Sequence, residues 1–368
     1  MWHRLAHLVV KELISYLRDP RTRVILIGPP LMQLVIFSFA ATLEVRNVAV
    51  AVLNQDGGPV SERFLERLGA SSFINELVPV TDSARLESLI DERRVLLGVR
   101  FPPDFSRSAV AGEPAPLQLL IDGRRANAGQ IAQSYVSQIA AQLDLELARD
   151  AGVDVAEPTI VRHWFNPNLI NQWYIVPGLS GILAMMIALV VTALSIARER
   201  EMGTFDQLLV SPIRPLEIII GKTVPAMIIG AVLAGVMIGA AIFLFHVPFS
   251  GNLGWLLASL LLFMLSVVGI GLMVSSVCQT QQQAILGAFM AAVPLILISG
   301  FATPVENMPG WLQLLAEADP LKHFLIIVQG SFLKALPFHE IVASAAPMAL
   351  IALITLSVAT LFVRSRLQ

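Results

Sequence analysis

The tripeptide Gly221-Lys222-Thr223 has the ending of a nucleotide-binding loop. A loop of the pattern G-x-x-x-x-G-K-[ST] cradles phosphates with the backbone N–H groups of a glycine-rich turn, while its lysine neutralises their charge. Counting back from Gly221, the first glycine of that pattern falls on Leu216. Residues 217–220 are apolar and β-branched apart from Glu217, and such a tetrad cannot make the turn. The expectation is that this chain binds no nucleotide there, and that Lys222 lies one turn inside a membrane span with its ammonium snorkelling to the surface.

Other groups that could do chemistry lack the arrangement for it. His3 and His7 are spaced i, i+4 but have no third ligand, and the six histidines show no metal spacing; His323 and His339 read as interfacial. The single cysteine, Cys278, rules out an intramolecular disulfide or a cysteine-based metal cluster. No Ser/His/Asp constellation emerges, and paired carboxylates occur only in hydrophilic stretches. The net charge of −2 gives no hint of nucleic-acid binding. No catalytic residue, cofactor or metal is expected.

The segment that carries the tripeptide has local order of another kind. In "AREREMGTFDQLLVSPIRPLEIIIGKT" (197–223), Thr204-Phe205-Asp206-Gln207 has the form of a capping box, with the Thr204 hydroxyl accepting from the Gln207 N–H. Gly203 breaks the preceding helix and Pro212 limits the next one. The spacing predicts a helix of about two turns, with Phe205, Leu208 and Leu209 on its apolar face. It is either a capped connector or a docking knob for a cytoplasmic partner.

What positions that segment is set by the distribution of charge. Only 14% of the 368 residues are charged, and residues 223–305 contain no Asp, Glu, Lys or Arg, whereas residues 44–172 hold 29 of the 52 charges. A charge at the bilayer centre costs about 2.5–3.5 kcal/mol on insertion scales, so charge-free tracts of this length mark membrane spans. Six segments are long enough: 24–43, 173–197, 218–246, 254–277, 284–302 and 341–363. The charge-free run at 24–43 exceeds the apolar core of a cleaved leader and reads as a retained anchor. The chain is thus expected to be a polytopic α-helical membrane protein, with six transmembrane helices and an extracytoplasmic α/β insert domain between spans 1 and 2.

Sidedness follows the basic residues. The N-terminal stretch 1–23 (Arg4, Lys11, Arg18, Arg21, Arg23), the 197–216 loop (Arg198, Arg200, Arg214) and the tail 364–368 (Arg364, Arg366) fall together on the cytoplasmic side. The insert, 44–172, and residues 303–340 then lie outside the cytoplasm. In the insert, residues 47–54, 95–101 and 117–122 read as strands. Helical spacing covers 59–68, 83–94 and 126–149, the last from Ile131, Tyr135, Ile139 and Leu143.

Four further features complete the reading. Residues 2–18 place Trp2, Leu5, Val9, Leu13 and Tyr16 on one face, which suits a helix lying in the cytoplasmic interface. Residues 304–336 contain apolar pieces too short to cross, which suits a re-entrant or surface-lying pair of helices. Gly28-Pro29-Pro30 is expected to kink or break the first span. Gly235-x-x-x-Gly239, with Gly269 and Gly271, suggests tight helix seams. No ionisable residue is expected at mid-depth, so the energy for any transport comes from elsewhere.

Together these pieces resemble the membrane subunit (permease) of ABC-2-type ATP-binding-cassette exporters, in particular the bacterial multidrug-efflux branch with a large external insert. The resemblance rests on "VKELISYLRDPRT" (10–22), "AREREMGTFDQLLVSPIRPLEIIIGK" (197–222) and "ISGFATPVENMPGWLQLLAEADPLKHF" (298–324), in that order. It implies that the loop between the second and third spans carries a coupling helix docked in a separate ATPase subunit. Glu199, Glu201, Gly203, Thr204, Gln207, Ser211 and Pro212 hold the matching positions, with Lys11, Glu12 and Arg18 as a second contact.

The same likeness implies an inner-membrane location and a second permease copy or paralogue, and the apolar spans favour a hydrophobic or amphiphilic cargo, such as a drug, toxin or lipid-like molecule. It also suggests a periplasmic adaptor of the membrane-fusion type. Two rivals are a membrane-anchored sensor or scaffold and an ion-coupled secondary transporter. The first lacks a cytoplasmic output module and the second an ion-coupling residue in mid-membrane.

Overall fold

A computed structural model describes residues 2–18, 20–40, 47–153, 162, 164–168, 170–204 and 215–365. The chain divides into two compact units, Thr42–Arg162 and the remainder.

The first unit is built on strand β1 (Val48–Asn54), whose sequence VAVAVLN is apolar on both faces. Such a strand is stable only with both faces covered. Alternation assigns Val48, Val50 and Val52 to one core, and Ala51 and Leu53 to another. Helices α3 (Pro59–Gly69) and α6 (Ala126–Asp150) cover the first side with Phe64, Leu68, Val136 and Leu143. Helix α4 (Ser83–Asp91) covers the second with Leu86 and Leu89. Strands β2 (Ile74–Pro79), β3 (Leu97–Phe101) and β4 (Gln118–Ile121) complete a sheet of order β2-β1-β3-β4. β1 is parallel to β2 and β3, pairing Val50 with Leu97, while β4 runs antiparallel to β3. The parallel neighbours need crossovers, which α3 and α4 supply. A short helix α5 (Phe105–Val110) follows β3. The buried face of α6 centres on Ala132 and Val136, one residue on from the predicted Ile131–Tyr135 register.

The second unit is helical: α1 (Trp2–Arg18), α2 (Pro20–Ala40), α7 (Gln172–Glu201), α8 (Pro215–Phe243), α9 (Leu253–Val277), α10 (Gln281–Ile298), α11 (Gly310–Glu317), α12 (Pro320–Leu333) and α13 (Phe338–Ser365). Among the described residues five helices, α7 to α10 and α13, are long and apolar enough to cross a membrane; α2 contributes only a shorter apolar stretch, Gly28–Phe39. The chain is therefore a polytopic helical membrane protein. α7 is its centre: 83% of its apolar window is buried, against 17–56% for the other four.

Several local expectations are corrected. α2 runs through Pro29 and Pro30 without a break, since the prolines remove two donors but leave the backbone helical. Gly235 and Gly239 have no atom within 4 Å of a would-be Cβ, so they form no seam among the described residues. Gly269 and Gly271 do, against Thr355 of α13 and Thr192 of α7. His323 is buried within the protein, with its Nε2 2.9 Å from the Glu317 carbonyl oxygen. It belongs to α12, whose Phe324 stacks on Phe263 of α9 at 4.4 Å.

Candidate functional site

Four helices converge on the last two turns of α7. Their contacts begin with Gly221 of α8, where a Cβ would overlap the Leu8 side chain of α1. The missing Cβ gives Leu8 room there, and the next residue, Lys222, enters the gap between α1 and α7. Lys222 is 3% exposed and does not snorkel. Its Nζ donates to Glu12 Oε1 of α1 at 2.9 Å, to Glu199 Oε1 of α7 at 2.7 Å and to the Ser195 carbonyl at 3.0 Å. All three protons of the ammonium are thereby used. A buried lysine without such partners would be prohibitively costly, which is why the side chain turns inward to the two carboxylates.

The surrounding contacts hold the same elements together. The Tyr16 hydroxyl of α1 donates to the Val191 carbonyl of α7 at 3.2 Å. Burial, reinforced by the nearby Glu12 carboxylate, holds its phenol above the ordinary range, so it stays a donor. From α9, Ser275 Oγ accepts from the Ile196 and Ala197 amides at 3.1 and 3.3 Å and donates to the Ala193 carbonyl at 2.5 Å. Between residues 191 and 197 the backbone groups of α7 are thus shared with its neighbours as well as with its own ladder.

α7 then stops in a Schellman motif. Gly203 adopts φ +70°, the Thr204 amide donates to the Glu199 carbonyl at 2.9 Å, and the Gly203 amide donates to the Arg200 carbonyl at 3.0 Å. Only glycine takes the left-handed conformation at little cost, so Gly203 sets the exit direction of the chain. The Thr204 hydroxyl donates to the same Glu199 carbonyl, at 3.3 Å. Arg200 Nη1 donates to the Ser276 and Cys278 carbonyls at 2.8 and 3.0 Å, capping the C-terminus of α9. Glu201 Oε2 accepts from the Gln281 amide at 2.7 Å, at the positive end of α10. Consecutive residues of α7 therefore grip both sides of the 278–281 turn.

The predicted site residues separate into three groups. Glu12 and Glu199 are buried, 8% and 7% exposed, because Lys222 draws them inward; their carboxylates face each other's helix and not the outside. Lys11, Arg18, Glu201 and Gly203 are exposed, and Thr204 is half-buried. Gln207, Ser211 and Pro212 lie outside the described residues, as does the capping-box partner of Thr204. Lys222 was missed as a partner of Glu12 and Glu199. Its signal is that Glu12 falls on the apolar Val9–Leu13–Tyr16 face of α1, where an unpaired carboxylate has no place.

The chain matches the family model described as ABC-2 family transporter protein over residues 21–361. It is 43% identical over 334 residues to the probable multidrug ABC transporter permease YbhR of Escherichia coli (strain K12), covering 91% of each chain. It is 30% identical over 344 residues to the probable multidrug ABC transporter permease YbhS of the same strain, covering 90% of this chain and 89% of the relative. The inner membrane transport permease YhhJ of that strain is 25% identical over 352 residues, again covering 90% and 89%.

Proposed function

We infer the working scheme of this chain from its kinship: it belongs to the ABC-2 family of transporter proteins and is a permease subunit of an ABC exporter. The family placement makes it a multi-pass inner-membrane protein. The scheme beyond that is our proposal. The energy comes from ATP hydrolysed on a separate ATPase subunit, which docks on the exposed end of α7 and the residues that follow it, with α1 as a second contact. A hydrophobic or amphiphilic, drug-like compound is moved outward, in keeping with the multidrug permeases the chain resembles. Two permeases form the pathway. α2 is the first of six spans, both termini are cytoplasmic, and the α/β unit stands outside the cytoplasm, where it meets a membrane-fusion adaptor.

The observation that carries the coupling role is the Glu12–Lys222–Glu199 triad. It ties α1, α8 and α7 into one body directly beside the proposed docking segment. A push on either docking contact then moves the inner ends of two spans together. The triad's Glu199 lies two residues before the end of α7, not at mid-membrane, so the triad does not form an ion path across the bilayer.

The test is transport in proteoliposomes containing the permease and its ATPase subunit, followed with a fluorescent lipophilic dye. ATP-dependent movement that stops when the ATPase cannot hydrolyse ATP supports the scheme. Movement driven by a proton gradient without ATP would replace it with ion-coupled transport.

A further inference from the structure

The α/β unit contains a cleft that neither the sheet nor the coupling site accounts for. It opens between α3, α5 and α6, encloses about 700 Å³ and is walled by Val60, Phe64, Phe105, Leu117, Leu143 and Leu147. Ligand sites occupy roughly 300–1,000 Å³, and this open cleft falls within that range. Here the space is kept by alanines on two facing helices, Ala109 on α5 and Ala140, Ala148 on α6.

The charges at the cleft have one sign. Glu113 and Asp144 line it, and no Lys, Arg or His does so among the described residues. Both carboxylates are exposed, and neither forms a salt bridge or side-chain hydrogen bond among the described residues. We propose that this cleft binds an amphipathic organic cation, the apolar walls taking its hydrocarbon groups and Glu113 and Asp144 facing its charge, and that this cation is cargo of the exporter. Apolar burial supplies most of the attraction. The two carboxylates add selectivity, since an anion of the same shape meets repulsion from both. The cargo role rests on the exporter reading above; the binding itself does not.

The test uses the full-length chain in nanodiscs, with equilibrium dialysis of radiolabelled tetraphenylphosphonium against empty nanodiscs. Tetraphenylborate, of the same shape and opposite charge, is the control. Saturable binding of the phosphonium at one site per chain is expected, with no saturable binding of the borate. Ala140→Trp and Ala109→Trp, which fill the cleft from opposite walls, each weaken binding about tenfold. Glu113→Gln with Asp144→Asn leaves the walls intact and narrows the cation–anion difference.

Phosphonium binding that is unsaturable, or unchanged in the charge-neutral pair and in whichever tryptophan variant folds, overturns the site. If ATP-driven export persists in that case, the cleft assignment fails and the exporter reading stands. If the phosphonium binds as expected but its ATP-driven export is the same in the parent and in the cleft variants, the cargo role is overturned and the exporter reading stands.

Discussion

Lys222 Nζ lies 2.7 Å from Glu199 Oε1 and 2.9 Å from Glu12 Oε1, so one ammonium joins residues 23 and 210 positions away in the chain. The contact changes what the Gly-Lys-Thr sequence means. Gly221 is there so that α1 can approach α8, and Lys222 is there to hold α1 against α7. What looks like the end of a phosphate loop is a three-helix clasp.

Removing the lysine should therefore cost more than removing the whole clasp. Lys222→Met leaves two buried carboxylates without their cation, which costs roughly 3–5 kcal/mol. The triple variant Lys222→Met, Glu12→Gln, Glu199→Gln removes the charges together and should regain most of that stability. Thermal unfolding of the purified protein in detergent checks both. A single variant as stable as the parent would show that the clasp is not held by charge.

The close approach at Gly221 gives an independent check. Gly221→Val forces Leu8 aside and should destabilise by about 1–3 kcal/mol, the usual penalty of overpacking. Leu8→Ala in the same chain makes room and should recover much of the loss, whereas alone it only opens a cavity. The double-mutant cycle is read by the same unfolding measurement.

The α/β unit has its own pH-sensitive fastening. Ser106 Oγ accepts from the Val60 and Ser61 amides at 3.1 and 3.3 Å, capping α3 from outside, and its hydroxyl donates to Asp56 at 2.5 Å. Burial pushes the Asp56 carboxyl up, but hydrogen bonds from Ser106, Ser61 and Gly58 outweigh it and hold it below the ordinary carboxylate range. A depressed carboxylate stabilises the fold above its unfolded pKa, near 3.9, and that contribution is lost as pH falls through the folded value. Protection of the Val60 and Ser61 amides from hydrogen exchange, relative to their intrinsic rates, should fall below about pH 4. Asp56→Asn should remove that acid limb. Ser106→Ala should raise exchange at every pH, reflecting a lost cap of roughly 1–2 kcal/mol.

Glu201 distinguishes docking from internal bracing. Its carboxylate accepts from the Gln281 amide, a role that a glutamine oxygen also fills. Glu201→Gln should thus keep the α10 contact, whereas Glu201→Lys loses it and reverses the charge offered to a partner. Glu201→Lys should lower ATP-driven efflux about tenfold or more, with Glu201→Gln in between, at unchanged membrane expression. Equal efflux in all three proteins would remove Glu201 from the docking surface.

How much of this was readable in advance depended on whether the signal was local. β1, β3 and β4 stand where short β-branched runs predict them, and α6 where the four-residue repeat does. β2 was not anticipated: INELVP is a half-exposed edge strand with no alternation to betray it. Nor was α5, which is only six residues long. The long spans are legible because exclusion of charge is a property of each segment alone. The clasp is not, because a lysine near a span end looks the same whether it snorkels or pairs. Only the fold brings Glu12 and Glu199 to it. The resemblance puts Glu199 on the docking surface, but its side chain is buried against Lys222, whereas Lys11, Arg18 and Glu201 are exposed.

The most direct measurement is photocrosslinking of the assembled transporter in native membranes, with a photoreactive amino acid placed in turn at Lys11, at Glu201 and, as a control, at Trp311. Crosslinks to the ATPase subunit are expected from Lys11 and Glu201 and none from Trp311. An ATPase that copurifies with the permease but crosslinks from neither Lys11 nor Glu201 would contradict the claim that the end of α7 and the face of α1 receive the ATPase.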